Sequence, residues 1–451
     1  MTIQKRKSVK VALRGQSRDI STSILSKKYS SAMQKVFDTY EAVYSQFNGL
    51  IQTRGTTLPF TRANASITSG IDRTADLVRT TSPHDKIDSI LLEEIAERLG
   101  IMKIRLSFPN AETFSYEMGL KSYGVTSNDV EGLKKRFKAI DYEDLSDKLL
   151  IANGQSYSER PTGTGEVEKT KEFFVRLSKM MFDSTPQSVK ASFPDFDSYL
   201  RQSVQLVEKE GGSYQSTGRV YLNVNNAEFI YIRENQGCRY QQFLDPLSAA
   251  SLVGEEGLLG HQGQFLATER AAIPAFLKTG FKPATLINAE ALGDAGRWKL
   301  INQLKRSDVP STIGIKNFEL LEKRFNLWWT AEEVNRFLRG YEGYSYFANN
   351  KDEALTSEAL YSITKSPGYK AEEQVKRISA YYNSLPFWKE YTENMNAWGY
   401  LIAGLTREKI DDRLEKVAPE ASQKIREELP IGWWTKKGFE RYFDHLISTF
   451  A

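Results

Sequence analysis

The sequence predicts a mainly α-helical, two-lobed protein with a few short strands or a β-hairpin in its first half. Three observations lead there. Apolar residues recur at three- and four-residue steps over long stretches, most clearly at Leu25, Tyr29, Met33, Val36, Tyr40, Val43, Phe47 and Leu50. Strict alternation is confined to short segments. All seven tryptophans lie at or beyond Trp298, so the second half has a composition of its own.

In chain order, "VKVAL" alternates Val9, Val11 and Leu13 with Lys10 and Ala12, which predicts a short half-buried strand ending at Gly15. The periodic run from Ser23 predicts a helix over about 23–53, closed by Arg54-Gly55. Ile87, Ile90, Leu91, Ile95 and Leu99 share one face of a second helix with Gly100 as its stop, and "KIRLSF" after it reads as a strand. "NGQSYSERPTGTG" at 153–165 has linker composition. "RVYLNVNNAEFIYIRE" alternates on either side of Asn225-Asn226, as a hairpin over about 219–233 would. Gly254, Gly257, Gly260 and Gly263 recur every third residue, which predicts a mobile connection, and the helical period then runs to the end. The division is a basic arm with a short strand at 1–20, an α-rich lobe at 21–253 and a Trp-rich helical lobe at 264–451.

Hydrophobic content of 40% and charged content of 26% describe an ordinary globular chain. Cys238 is the single cysteine, and the histidines are His84, His261 and His445, so no Cys/His metal site is expected and any metal would need carboxylates. His261 has no Cys, Ser or acidic partner at a telling sequence distance and reads as a loop residue. No cofactor motif stands out. The chain has no Gly-Lys dipeptide and hence no P-loop, no Rossmann spacing and no Gly-x-Ser-x-Gly elbow. Crowded acids at Asp141, Glu143, Asp144 and Asp147, and the pairs Pro194-Asp195 and Glu208-Lys209, read as solvated helix faces. No apolar run is long enough to cross a membrane, which predicts a cytoplasmic or virion location.

"LWWTAEEVNRFL" at 327–338 and "GWWTKKGFERYF" at 432–443 share a skeleton. Thr330 and Thr435 are the expected N-caps, Glu333 completes a capping box in the first copy, and Lys436 and Lys437 take those places in the second. The paired tryptophans would staple back onto Val334 or Phe439. "WTAEE" resembles the opening of a Myb or SANT helix over about five residues, but the regularly spaced tryptophans of that family are missing. Adjacent rings cannot share a helix face, so one of Trp328 and Trp329, and one of Trp433 and Trp434, is a candidate for self-association.

Charge supplies the functional expectation. Residues 1–28 carry eight Lys and Arg against Asp19 alone, which is +7, and because the whole chain is +4 the remainder sums to −3. Clustered cations release counterions from a phosphate backbone, so Lys5, Arg6, Lys7, Lys10, Arg14 and Arg18 are the candidate nucleic-acid contacts. Basic and aromatic residues also interleave at 133–140, 317–329 and 436–443, as they do on surfaces that stack bases. The expected function is a non-enzymatic, homo-oligomeric protein that coats or packages nucleic acid, of the viral coat or nucleoprotein kind. The alternatives are a nucleic-acid-processing enzyme working through dispersed carboxylates, marked by their convergence in one cleft, and an adaptor for an acidic protein. No catalytic residue, metal or cofactor is expected.

Overall fold

The computed structural model describes residue 24 and residues 27–52, 61–107, 116–156, 166–207, 214–216, 219–223, 246–281, 284–312, 317–366, 369–382 and 387–451. The protein is mainly helical. The first half holds α1 (Ser31–Gln52), α2 (Thr61–Thr80), α3 (Lys86–Leu106), α4 (Tyr116–Ser122), α5 (Ser127–Lys138), α6 (Tyr142–Ser156), α7 (Glu166–Ser184), α8 (Gln187–Lys190) and α9 (Phe196–Ser203). Three short segments follow, β1 (Val204–Val207), β2 (Tyr214–Ser216) and β3 (Arg219–Asn223). The second half comprises α10 (Pro246–Glu256), α11 (His261–Arg270), α12 (Ala275–Lys278), α13 (Leu286–Lys305), α14 (Val309–Thr312), α15 (Phe318–Ala348), α16 (Glu353–Thr364), α17 (Ala371–Tyr382), α18 (Phe387–Leu414), α19 (Pro419–Glu428) and α20 (Lys436–Phe450). β3 lies between its neighbours, parallel to β1 with Val204 opposite Val220 and antiparallel to β2 with Tyr214 opposite Tyr221. The strand expected at 9–13, the basic arm and the turn at Asn225-Asn226 lie outside the described residues.

The periodic face of α1 is buried as its spacing requires: Met33, Val36, Phe37, Tyr40, Val43 and Phe47 all point inward. Each such side chain contributes roughly 1.5–3 kcal/mol when removed from water. The helix begins later than periodicity suggested, at Ser31, where the Ser30 hydroxyl accepts from Met33 N at 3.2 Å. α3 corrects two expectations. It passes Gly100 and continues to Leu106, so "KIRLSF" is largely helix and not strand. A helical glycine costs about 1 kcal/mol relative to alanine, and burial of Ile101 and Met102 just beyond it outweighs that cost.

The repeated Trp-Trp-Thr is used in two unlike ways. Thr435 is an N-cap, its hydroxyl accepting from Gly438 N at 3.1 Å. Thr330 is not a cap: it lies inside α15, whose N-cap is Asn317, and its hydroxyl donates to Asn326 O at 2.9 Å. No proline interrupts residues 318–348, and the helix runs through Thr330 and on past Gly340 and Gly343, so the local capping letters are overridden.

Two apolar cores organise the described residues. One runs from Ile24 through α1, α3, α10 and α13 to Leu446 on α20; the other joins α4 and α5 to α15, α16, α17 and α18. Within the first, Arg98 is fully buried and spends its guanidinium on Glu94 Oε1 at 2.7 Å, Phe276 O at 2.8 Å and Trp433 O. Glu94 in turn accepts from Thr435 N at 3.0 Å and Thr435 Oγ1 at 2.6 Å. A buried pair therefore clamps α3 to the cap of α20.

Candidate metal centre

The glycine series forms a close helix crossing and a tight turn, not a mobile connection. A Cβ on Gly254 would stand 2.7 Å from Gly296 O and 2.8 Å from Arg297 Cα, so α10 and α13 touch backbone to backbone. At Gly260 a Cβ would run into Glu255 O, and at Gly263 into Leu258 O. The glycines let the chain reverse between Glu256 and His261 in a turn too close for side chains. The reversal sets Glu255, at the end of α10, beside His261, at the start of α11.

α13 supplies the third partner. His261 Nε2 lies 3.7 Å from Glu290 Oε2, and one donor atom each from Glu255, His261 and Glu290 falls within 4.8 Å of the others. The expectation that His261 is a loop residue without acidic partners is therefore corrected: the partners come from across a helix crossing. Glu290, Asp294 and Arg297 occupy one face of α13, and Glu333 and Arg336 of α15 and Tyr400 and Gly404 of α18 complete a narrow cleft whose free volume is about 10 Å³, room for about one water.

Electrostatics act on the donors in opposite directions, favouring the ligating form of Glu255 and the protonated, non-ligating form of His261. Burial works against the Glu255 carboxylate, but Arg297, helped by His261 and Arg336, holds its pKa below the ordinary value. Burial opposes a charge on His261, yet Glu290, Glu256 and Glu255 together raise its pKa. Burial raises Asp294 despite Arg297 and Arg407, and raises Glu333 despite Arg136. Tyr400 is pushed up to about 12, by burial first and then by Glu290, so it keeps its proton at neutral pH. Arg297 pairs with Glu255 and with Asp294 Oδ1 at 2.5 Å, and its guanidinium lies 4.0 Å above the Trp329 ring. Two carboxylates and one imidazole are a ligand set for a first-row divalent ion, and three protein donors leave a coordination position open.

The other candidates fall elsewhere. Lys5, Arg6, Lys7, Lys10, Arg14 and Arg18 lie outside the described residues. Trp434 is completely buried and stacks on Tyr442 at 4.9 Å. Trp433, Trp328 and Trp329 are half-buried, and of these rings it is Trp329 that faces the cleft. In the basic-aromatic stretches Phe137, Phe325, Phe439, Tyr442 and Phe443 are core, while Lys135, Lys138 and Lys437 face solvent, so these rings are not offered for base stacking. Asp141 and Asp195 cap helices, accepting from Asp144 N at 2.9 Å and Ser198 N at 2.7 Å. Among the described residues no helix is long and apolar enough to cross a membrane.

Sequence reasoning missed Glu255, Glu290, Asp294 and Arg297. A signal was present: Glu290, Asp294 and Arg297 recur at four and three residues along α13, an ionised stripe on one helix face. No protein-family model matches the chain, and a comparison with curated protein sequences finds no match.

Proposed function

We propose that the protein is a metal-dependent hydrolase centred on Glu255, His261 and Glu290. The observation that carries this reading is the convergence of those three donors, from three helices, at the edge of one cleft. A divalent ion held there would supply Lewis acidity and lower the pKa of a bound water toward neutrality. Glu256 follows Glu255 and its charge acts on both His261 and Tyr400, which makes its carboxylate the general base of this reading from just outside the cleft lining. Protonated Tyr400 is the donor for the developing oxyanion. Among the described residues there is one ligand set rather than two sites for carboxylate-bridged ions, which favours attack on a carbonyl over phosphodiester cleavage.

Titration of the metal-stripped protein with Zn²⁺ or Mn²⁺ in a calorimeter is expected to give one site per chain. His261→Ala and Glu290→Gln are expected to weaken it by at least tenfold. Glu256→Gln is expected to retain the metal and to lose hydrolysis of a panel of peptides and esters. Because His261 ligates only when neutral and its pKa is raised, affinity is expected to fall as pH drops through the histidine range. Absence of stoichiometric binding at pH 8 overturns the reading.

A second reading, a homo-oligomeric protein that coats nucleic acid, draws on the +7 charge of residues 1–28 against a near-neutral remainder. If those cations contact phosphate, deleting residues 1–18 is expected to weaken binding to single- and double-stranded DNA and RNA. It should also flatten the salt dependence by up to roughly 0.7–0.9 log units for each phosphate that is no longer neutralised. An unchanged slope excludes the arm.

A further inference from the structure

We propose that Lys299 is a carbamate-forming lysine: its Nζ adds dissolved carbon dioxide, and Arg426 and Lys190 face the anion so made. The site goes beyond the metal centre, and none of these residues lines that cleft.

Three cations from three helices meet at the C-terminal end of α7. Lys299 of α13 donates from Nζ to Ser184 O at 2.9 Å, and Lys190 of α8 donates from Nζ to the preceding carbonyl, Asp183 O, at 2.7 Å. Arg426 of α19 is near enough to act on the Lys299 charge, and its own acid, Asp411, stands 3.8 Å from it. Gln303, one turn further along α13, donates to Ser184 Oγ at 2.6 Å and fixes the same helix end. The Asp183 carboxylate is turned away to Lys179, at 2.5 and 2.6 Å. Lys299 itself makes no ion pair with any described residue. Carbonyls at a helix end attract cations, but their partial charge does not neutralise three of them. Burial first, then Arg426 and Lys190, push Lys299 down to about 8. A sizeable fraction of this amine is therefore neutral and nucleophilic near physiological pH, where an ordinary lysine is almost wholly protonated.

The chemistry closes on these groups. The lone pair of the neutral amine forms an N–C bond to carbon dioxide, one C=O electron pair moves onto oxygen, and the proton lost from nitrogen passes to water. One N–H remains on the carbamate nitrogen and keeps the bond to Ser184 O. Three like charges become two cations facing one anion, so repulsion turns into attraction. Carbon dioxide, uncharged and three atoms long, reaches a half-buried amine without a carved pocket.

The test equilibrates the full chain with isotope-labelled carbon dioxide, esterifies any carbamate irreversibly with triethyloxonium ion, and reads the adducts by peptide mass spectrometry. Lys305, on the same helix and paired with Glu322 at 2.8 Å, is the internal reference. Near neutral pH the occupancy of Lys299 is expected to be at least tenfold that of Lys305. At fixed dissolved carbon dioxide, the logarithm of modified over unmodified Lys299 is expected to rise by about two per pH unit below about pH 8 and by about one above it. One proton leaves on deprotonation and one on addition, and only the second remains once the amine is neutral. Arg426→Gln and Lys190→Gln are each expected to lower the occupancy at least threefold, whereas Arg426→Lys, which keeps the charge, stays within twofold of wild type. Occupancy of Lys299 no greater than that of Lys305 between pH 7 and pH 9 overturns the proposal and leaves Lys299 as a cap on α7. Occupancy unchanged in both glutamine variants overturns the role of the two cations. Should a variant fail to fold, the ratio of Lys299 to Lys305 in wild type decides.

Discussion

Arg98→Ala is expected to destabilise the protein by about 3–5 kcal/mol, the usual cost of leaving half of a buried ion pair alone. Arg98 and Glu94 are both completely buried, and the arginine also satisfies the carbonyls of Phe276 and Trp433, which the substitution would orphan. Glu94→Gln keeps the shape but removes the charge opposite Arg98, and is expected to cost a large part of the same energy. The site has no slack for relaxation: at Gly438 an added Cβ would fall on Glu94 Oε2. Equilibrium unfolding in urea reads the effect, and an Arg98→Ala variant within about 1 kcal/mol of wild type would show that the clamp carries little.

Gly254→Val is expected to cost about 1–3 kcal/mol through overpacking and, unlike Arg98→Ala, to weaken zinc binding as well. Its Cβ meets backbone on both near sides, Gly296 O and Arg297 Cα, and backbone yields only if α10 and α13 separate. Glu255 is the next residue, and its partner Arg297 lies on the facing helix, so the displacement moves a ligand and its counter-ion together. Gly100→Ala is the matched control. Nothing lies within 4 Å of that Cβ, and the change is expected to stabilise α3 by roughly 0.5–1 kcal/mol. Unaltered zinc affinity in Gly254→Val would separate the helix crossing from the centre.

Comparison of α1 with α10 and α13 explains what was legible in the sequence. The apolar face of α1 spans several turns, so its periodicity survives without tertiary information. The stop at Gly100 failed because a single breaker was weighed without the buried Ile101 and Met102 that follow it. The cap at Thr330 failed because capping letters describe only a few residues, whereas α15 runs from Phe318 to Ala348. The cleft was hidden for a different reason. Glycine every third residue reads equally as looseness or as close approach, and what decides is the partner helix, which begins beyond Glu256 by thirty residues. Arg336 and Tyr400 were invisible because their association with Glu290 is made only in space.

The clamp at Arg98 also sets a timetable. Its acceptor at Trp433 lies 335 residues downstream, and Thr435 lies 341 residues from Glu94. At about 5–20 residues per second, a ribosome needs on the order of 20–70 s to deliver the second half of this contact after the first. Through that interval α3 carries a charged face that its own core is not complete enough to accept, alongside the apolar face it needs α20 to cover. The clamp cannot close until α20 has been made, and yield in a cell is expected to depend on holdase chaperones more than the finished stability suggests.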